Sequence, residues 1–289
     1  PIPRYLSGVD FSLGDYDTYW VFAMITRDCN LSCPYCYEFK RKDYVNSKEL
    51  IKLIEKIRKN VKKEERHTFL DREKKIGVTI GGGEPTLHPE FVMIVKKLRK
   101  IVDYLTVSSN GTNIDKLLDV SNYVDGVAIS APFVYDDNLM KELHPVSKER
   151  IETIIRRLSG KIQNLCITII VTSRMRPKHV RELVEYAKKL GATHILFTIF
   201  KPIEEGAKFR DLVPDLWLAR DILIEIFQSS LKNKDIELLI DSCFAKYTAY
   251  QVCPSVYGKL ISPNLDEMRI CPQRTIEEPC IFDWLYLYH

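Results

Sequence analysis

Residues 19–36 read YWVFAMITRDCNLSCPYC, an apolar run that is followed at once by three cysteines. The apolar run over residues 19–26 predicts a strand. The cysteines, Cys29, Cys33 and Cys36, have the spacing C-x3-C-x2-C in one short loop. Three thiolates from a single loop can ligate three irons of a [4Fe–4S] cluster and leave the fourth iron open. Zinc is the alternative, but zinc fingers usually pair two separate two-ligand halves. The pattern therefore favours an iron–sulfur cluster directly after a strand.

Downstream of this loop, strand and helix patterns alternate up to residue 200. Apolar periodicity predicts strands at residues 19–26, 76–80, 105–109, 124–130, 165–172 and 194–200. It predicts helices at residues 47–61, 89–102, 114–121, 148–158 and 177–190. Strands separated by such helices pair in parallel, because a parallel connection needs a crossover of about a dozen residues or more. The sequence thus predicts an α/β fold with a parallel sheet, which binds its ligands at the carboxyl ends of the strands.

The pattern changes after residue 200. A loop that contains Pro202, Gly206 and Pro214 precedes a predicted helix at residues 215–231 and a predicted strand at residues 236–240. The residues that follow are rich in cysteine. We therefore expect two domains, residues 1–200 and residues 201–289.

Composition excludes several classes of protein. The 289 residues carry 43 Lys and Arg against 39 Asp and Glu, and this net charge of +4 is too mild to indicate a nucleic-acid-binding protein. The basic run at residues 56–66 fits a solvated helix end better than a phosphate-contacting patch. No apolar run is long enough to span a membrane, and the first residues lack the features of a secretory signal. We therefore expect a cytoplasmic protein with no membrane partner, and nucleic acid is not an expected partner.

The cysteine loop, with the aromatic Tyr35 before its last cysteine, resembles the signature of the radical S-adenosylmethionine (SAM) enzymes. Those enzymes fold as a partial (βα)6 barrel, which agrees with the six strand and helix units above. The resemblance implies that Cys29, Cys33 and Cys36 hold a [4Fe–4S] cluster with one open iron, which SAM chelates through its amino and carboxylate groups. It also implies that Tyr35 packs near the adenine of SAM.

A second motif, Gly81-Gly82-Gly83-Glu84-Pro85, follows the second predicted strand. Its three glycines permit a backbone that approaches a ligand closely. The motif resembles the family's GGEP segment, which contacts the amino group of SAM. By the same resemblance, the strand-end residues Ser109, Asn110 and Ser130 lie around the ribose and carboxylate of SAM. Asn110-Gly111 as an ordinary turn is the alternative for that dipeptide.

The segment after the fourth predicted strand departs from the family pattern. The family often has Ser-Leu-Asp-Gly there, whereas this chain has Ser130-Ala131-Pro132-Phe133. The departure predicts a different shape on the substrate side. Further along, His144 could approach substrate or cofactor, but the expectation is a histidine at the protein surface.

The other cysteines predict a second metal site. Cys166 falls within a predicted strand and is expected to pack as a small apolar residue. The other four, beyond the sixth strand, can complete the ligand shell of a second [4Fe–4S] cluster or of a structural zinc ion, and they are Cys243, Cys253, Cys271 and Cys280.

The segments at residues 253–258, 260–264 and 269–272 favour the cluster, because together they resemble the β-hairpin of SPASM and twitch extensions, where cysteines flank an Ile-Ser-Pro-Asp-Gly turn. Asn264 and Leu265 stand at the Asp and Gly positions of that turn. The resemblance implies a small C-terminal Fe–S-binding extension with a β-hairpin and one auxiliary [4Fe–4S] cluster. Cys243 lies outside the hairpin, and if it is not a ligand, the auxiliary iron is open to substrate.

The resemblance also implies the chemistry: SAM is cleaved reductively to a 5′-deoxyadenosyl radical, which abstracts hydrogen from the substrate. Reduced flavodoxin or ferredoxin is the implied electron donor. We expect oxidation or cross-linking of a peptide or amino-acid-like substrate. The alternative is dehydrogenation or rearrangement of a small-molecule substrate in cofactor or natural-product biosynthesis. Resemblance to molybdenum-cofactor cyclases is limited, because the chain ends in WLYLYH without their Gly-Gly tail. Two further alternatives are an iron–sulfur electron carrier and an RNA-modifying enzyme.

Overall fold

The computed structural model describes residues 5–6, 18–38, 41–64, 75–248, 259–261, 265 and 268–269 of the chain. In chain order, its strands are β1 Tyr5–Leu6, β2 Thr18–Arg27, β3 Arg41–Tyr44, β4 Lys75–Gly82, β5 Tyr104–Ser109, β6 Gly126–Ser130, β7 Asn164–Val171, β8 His194–Ile199, β9 Glu237–Asp241, β10 Lys259–Ile261 and β11 Met268–Arg269. Its α-helices are α1 Ser47–Glu64, α2 Phe91–Leu98, α3 Ile114–Asp119, α4 Asp137–Leu143, α5 Lys148–Leu158, α6 Pro177–Leu190, α7 Leu216–Lys232 and α8 Ser242–Thr248.

Seven neighbouring strands form the body of one sheet. Their order is β9-β8-β7-β6-β5-β4-β2, and each pair of neighbours is parallel. Helices occupy the crossovers, because parallel strands cannot be joined by tight turns. The apolar pattern predicts all seven of these strands, including β9 at residues 236–240. The α/β fold and the partial (βα)6 barrel are therefore confirmed, and the carboxyl ends of these strands meet at one edge.

The two faces of the sheet differ. The face toward the helices carries the main core, in which β7 residues such as Leu165 and Ile167 are fully buried with helix residues such as Ile154 and Leu183. On the opposite, inner face, a small separate cluster closes the interior; its members are Ala128, Cys166, Leu196 and Leu239. Cys166 is fully buried, and burial raises the pKa of its thiol. The expectation that Cys166 packs as a small apolar residue is confirmed.

Short strands lie along both edges of this sheet. β1 pairs in parallel with β9, and β10 pairs in parallel with β2. β10 also pairs antiparallel with β11, with Leu260 opposite Arg269, and the Fe–S-binding extension with its β-hairpin stays a prediction. Leu265, at the position where the family pattern has glycine, has a left-handed φ of 60°. The backbone at this position is therefore in the conformation that glycine adopts without strain.

Most predicted elements match the structure closely, and the differences have local causes. The bounds of α5 and α6 are those predicted, whereas α2 is shorter at both ends than residues 89–102. The sequence analysis missed α4, although Asp136 caps it by accepting hydrogen bonds from the backbone N–H groups of Asn138 and Leu139. β9 continues the sheet across the expected boundary near residue 201, so both predicted domains contribute to one sheet. The boundary itself stays a prediction.

The basic run belongs to α1 as far as residue 64. Arg58 donates to the carboxylate of Asp103, and Lys56 and Lys59 are exposed. This arrangement fits a solvated helix face. Among the helices that the structure describes, none has the length and apolar character needed to cross a membrane.

Candidate functional site

The three closely spaced cysteines lie in the loop that follows β2, at the carboxyl edge of the sheet. Their side chains are half-buried, and they form no disulfide among the described residues. The backbone N–H of Cys36 donates to the carbonyl of Cys33 at 3.2 Å, and the N–H of Leu31 donates to the sulfur of Cys29 at 3.4 Å. The loop thus folds back on itself and holds its three sulfurs in one short segment.

Strand β3, which the sequence analysis missed, fixes the start of this loop. Arg27 pairs with the Asp43 carboxylate at 2.9 Å, and the Thr26 hydroxyl donates to the Asp43 carbonyl at 2.6 Å. The Tyr44 hydroxyl donates to Asp28 at 2.6 Å. Residues 26–28, which lead into Cys29, are therefore held by Asp43 and Tyr44 of β3.

The glycine-rich motif at the end of β4 packs against the same residues. The N–H of Gly83 donates to the carbonyl of Thr26 at 2.8 Å, and the N–H of Glu84 donates to the carbonyl of Asp28 at 2.7 Å. A Cβ on Gly82 would lie 2.1 Å from the Thr26 carbonyl oxygen, and one on Gly83 would lie 2.2 Å from that of Asp28. Only glycine allows this approach, so the motif fixes the backbone that leads into the cysteines.

Glu84 joins the glycine-rich motif to the end of β5. It is fully buried, and one carboxylate oxygen accepts hydrogen bonds from Thr86 and, at 2.8 Å, from the Ser109 hydroxyl. The other oxygen accepts from the N–H of Asn110 at 2.7 Å. Burial raises the pKa of Glu84, against the lowering effect of these hydrogen bonds. Both oxygens of the Glu84 carboxylate thus accept hydrogen bonds from the protein. Pro85, which begins the following 3-10 turn, is buried as well.

Asn110 extends the connection to the cysteine loop. Its amide nitrogen donates to Asn30 at 3.0 Å and lies 3.9 Å from the sulfur of Cys29. Asn30 in turn donates to Thr112 at 2.9 Å. The structure thus brings together Glu84, Ser109, Asn110 and the cysteine loop, four features that the sequence analysis assigned to one site. The assignment of individual residues to SAM contacts stays a prediction.

The end of β6 lies further along the same edge. Ser130 is half-buried and stands opposite Thr168 of β7. The N–H of Ala131 donates to the carbonyl of Thr168 at 3.0 Å. Ser130 is therefore partly exposed at the carboxyl edge of the sheet. Along this edge it lies between the end of β2, which leads into the cysteine loop, and the ends of β7 and β8.

His144 is not at the surface, and the expectation of a surface histidine is wrong. Only 8% of its area is exposed, and its Nδ1 lies 2.8 Å from the hydroxyl of Tyr35. The ring of Tyr35 also meets that of Phe133 edge-on, with ring centres 4.9 Å apart. Burial lowers the pKa of His144 to about 4 and raises the pKa of Tyr35. Both side chains are therefore neutral near pH 7.

A second cluster of polar side chains, at the ends of β8 and β9, was missed by the sequence analysis. The Lys201 ammonium lies 3.0 Å from the Asp241 carboxylate and 4.8 Å from the ring centre of Tyr37. Asp241 also accepts from the Thr198 hydroxyl at 2.5 Å and from the N–H of Phe244 at 2.8 Å. Burial is the largest single influence and lowers the pKa of Lys201, but the negative charges of Asp241, Cys243 and Tyr37 and the hydrogen bond to Asp241 together raise that pKa well above its usual value. Lys201 and Asp241 are 40 positions apart in the sequence, and no local sequence pattern predicts that they pair.

The donor set of the first site suits a thiolate-ligated cluster. Within the described ranges, no three His, Cys, Asp or Glu side chains converge on a position for one metal ion. That finding is compatible with a cubane, because each of three thiolates then binds a different iron. Cys29, Cys33 and Cys36 supply sulfur donors only, from one loop whose backbone is fixed on both sides.

The predicted auxiliary site is described only in part. Cys243 is half-buried in the first turn of α8, in the electrostatic field of Lys201. Cys253, Cys271 and Cys280 lie outside the described residues. The auxiliary cluster and its four ligands therefore stay a prediction.

Comparison of the sequence with known proteins gives one family. A family model for the radical SAM superfamily matches residues 24–213. A protein of Pyrococcus abyssi named Probable GTP 3',8-cyclase is 32% identical over 260 residues, which cover 85% of this chain and 79% of that protein. A GTP 3',8-cyclase of Clostridium perfringens is 26% identical over 190 residues, which cover 64% of this chain and 56% of that protein. The chain thus spans little more than half the length of the Clostridium relative.

Solved structures share the fold. Streptococcus suis SuiB bound to S-adenosylmethionine matches with a TM-score of 0.70 at 13% identity, covering 94% of this chain and 65% of that chain. Native anSMEcpe with bound AdoMet and Cp18Cys peptide matches with a TM-score of 0.61 at 15% identity, covering 90% and 75% of the two chains. At these identities the likeness establishes the architecture alone.

Proposed function

The chain belongs to the radical SAM superfamily, and from this membership we propose that it is an enzyme that cleaves SAM reductively and abstracts hydrogen from an organic substrate. The family implies a [4Fe–4S] cluster and SAM. When bound, these two cofactors supply an electron and a 5′-deoxyadenosyl group that removes a hydrogen atom. The residues of the chain supply binding, orientation and exclusion of water.

The contact between the cysteine loop and the glycine-rich motif is the observation that supports this function most. The backbone hydrogen bonds from Gly83 to Thr26 and from Glu84 to Asp28 leave no room for side chains between the two segments. We propose that Cys29, Cys33 and Cys36 hold the cluster and that the bare backbone of residues 81–83 receives the amino group of SAM. Glu84 orients both segments through Ser109 and Asn110.

An electron carrier without chemistry of its own is less well supported. Such a carrier needs thiolate ligands, but it has no use for a glycine-rich segment that can bind a zwitterion beside them. The buried carboxylate of Glu84, which ties that segment to β5, adds a further element that cluster binding alone does not require.

For the substrate, we propose a peptide or amino-acid-like molecule that is oxidised or cross-linked. A small-molecule substrate is the second candidate, and the relatives named GTP 3',8-cyclase favour it, since one of them aligns with 85% of this chain. Incubating the reduced, cluster-loaded protein with SAM and GTP distinguishes the two. Consumption of GTP with formation of 5′-deoxyadenosine supports the second candidate. Unchanged GTP argues against it.

The test of the reaction is anaerobic reconstitution with iron and sulfide, followed by reduction in the presence of SAM and chromatographic assay of 5′-deoxyadenosine. We expect the wild-type chain to form 5′-deoxyadenosine. Cys33→Ala should abolish this product, because it removes one of three thiolate ligands. Cys166→Ala is the matched control, since Cys166 is buried on the inner face of the sheet. Product formation by Cys33→Ala at the wild-type rate would overturn the site assignment.

A further inference from the structure

We infer that His144 is a positioning residue of the cofactor site and that it acts by holding the side chain of Tyr35. The inference rests on the proposed function, in which Tyr35 lies beside the adenine of SAM. It adds a residue from the distant β6 crossover, 109 positions along the chain from Tyr35.

The first step is the rigidity of the contact. The Tyr35 hydroxyl and Nδ1 of His144 are 2.8 Å apart, which is the usual length of a hydrogen bond to a hydroxyl. The ring centres of the two side chains are 6.1 Å apart. Phe133, which is fully buried, packs edge-on against the ring of Tyr35. The phenol hydroxyl is thus held by His144, with a further hydrogen-bonding contact to Cys33, and Phe133 packs against its ring.

The second step is the anchoring of His144 itself. It caps the end of α4, where its backbone N–H donates to the carbonyl of Met140 at 3.1 Å. Met140 and Leu143 of that helix are buried in the main core. An 8% exposed imidazole at the end of a packed helix has little freedom to follow Tyr35. His144 therefore has an anchor of its own, independent of Tyr35.

The third step is the position of Tyr35 in the cysteine loop. It directly precedes Cys36, and on the other side of that cysteine the Tyr37 ring lies under the Lys201 ammonium. A change in the direction of the Tyr35 ring therefore alters the last part of the loop. We expect two consequences when the bond is lost: weaker binding of SAM and a less uniform environment of the cluster.

The experiment uses cluster-loaded protein and four variants. His144→Leu removes the hydrogen-bonding group, His144→Asn retains one near the position of Nδ1, and Tyr35→Phe removes the hydroxyl. His179→Asn is the control, because His179 lies at the start of α6 and caps that helix. Equilibrium dialysis gives the Kd of SAM, and electron paramagnetic resonance of the reduced cluster reports the change in its signal on addition of SAM.

We expect His144→Leu and Tyr35→Phe each to raise the Kd of SAM roughly threefold to tenfold, the equivalent of one neutral hydrogen bond. The double variant should match Tyr35→Phe, because that variant has already lost the bond to His144. His144→Asn should restore most of the affinity and a wild-type signal. A purely structural role for His144 predicts additive effects and no rescue by Asn.

Two outcomes overturn the inference: His144→Leu with wild-type affinity and signal, or effects of the two single variants that add in the double variant. Failure of the proposed function is recognised separately. In that case the wild-type protein itself neither changes its cluster signal with SAM nor forms 5′-deoxyadenosine.

Discussion

Gly82 and Gly160 both have positive φ angles, 128° and 71°, but their surroundings are opposite. A Cβ on Gly82 would lie 2.1 Å from the carbonyl oxygen of Thr26, whereas a Cβ on Gly160 would meet nothing within 4 Å. Thr26 leads into the cysteine loop. A side chain at position 82 would therefore be opposed by both its volume and the strain of the backbone. A side chain at position 160 would be opposed by backbone strain alone.

Alanine substitution separates these two effects. Gly160→Ala should lower the free energy of unfolding by about 1 kcal/mol, the cost of a left-handed residue that is not glycine. Gly82→Ala should cost about 3 kcal/mol or more, because the backbone of two loops must move apart. Urea unfolding of the metal-free chain measures both values. We also expect Gly82→Ala to weaken SAM binding by more than tenfold. Equal destabilisation by the two variants, with SAM binding intact, would contradict the role given to Gly82.

At the scale of the elements, the ends of β8 and β9 are joined by a buried ion pair. Side-chain exposure is 13% for Lys201 and 7% for Asp241. Asp241 also caps the start of α8 through the N–H of Phe244. The pair therefore connects the strand end of β8 to the helix that carries Cys243.

Lys201→Met should lower the free energy of unfolding by about 3 kcal/mol, because it leaves the buried Asp241 carboxylate without its cation. The control is Lys208→Met, since the Lys208–Glu205 pair is exposed, with side-chain exposures of 72% and 58%. Loss of that pair should cost less than about 0.5 kcal/mol. Denaturant unfolding of both variants tests the prediction, and a cost for Lys201→Met as small as that for Lys208→Met would show that the pair does not stabilise the sheet end.

For the molecule as a whole, short strands cover both edges of the parallel sheet. β1 lies beside β9 at one edge, and β10 lies beside β2 at the other. Covered edges leave few unpaired backbone groups for association with other chains. β10 pairs with the strand that precedes the first cysteine loop.

We predict that the reconstituted wild-type chain binds about eight irons, the sum of two [4Fe–4S] clusters. A variant with Cys253 and Cys271 both changed to Ala should bind about four irons and should still form 5′-deoxyadenosine, because the first site is intact. Cys166→Ala is the control and should keep the full content. Iron and sulfide assays measure these values. About four irons in the wild-type chain would mean that the second set of cysteines holds no cluster.

The sequence was enough to predict the six strands of the partial barrel, the helices between them and the grouping of the two motifs at one edge. These features follow from local patterns: apolar periodicity fixes which residues face the core, and the order of strands and helices fixes parallel pairing. The glycine-rich motif predicts a segment whose backbone approaches its neighbours closely. The structure agrees, because Glu84 is fully buried and Gly82 lies close to Thr26.

The meeting of distant residues at that edge could be seen only in the three-dimensional fold. His144 and Tyr35 are 109 positions apart, and Lys201 reaches Asp241 from another strand. The pairing of β10 with β2 joins the two ends of the described chain. Such contacts depend on the path of the backbone through space and on the shape of the core. The spacing of residues along the chain predicts neither. For that reason a histidine expected at the surface is buried against the cysteine loop.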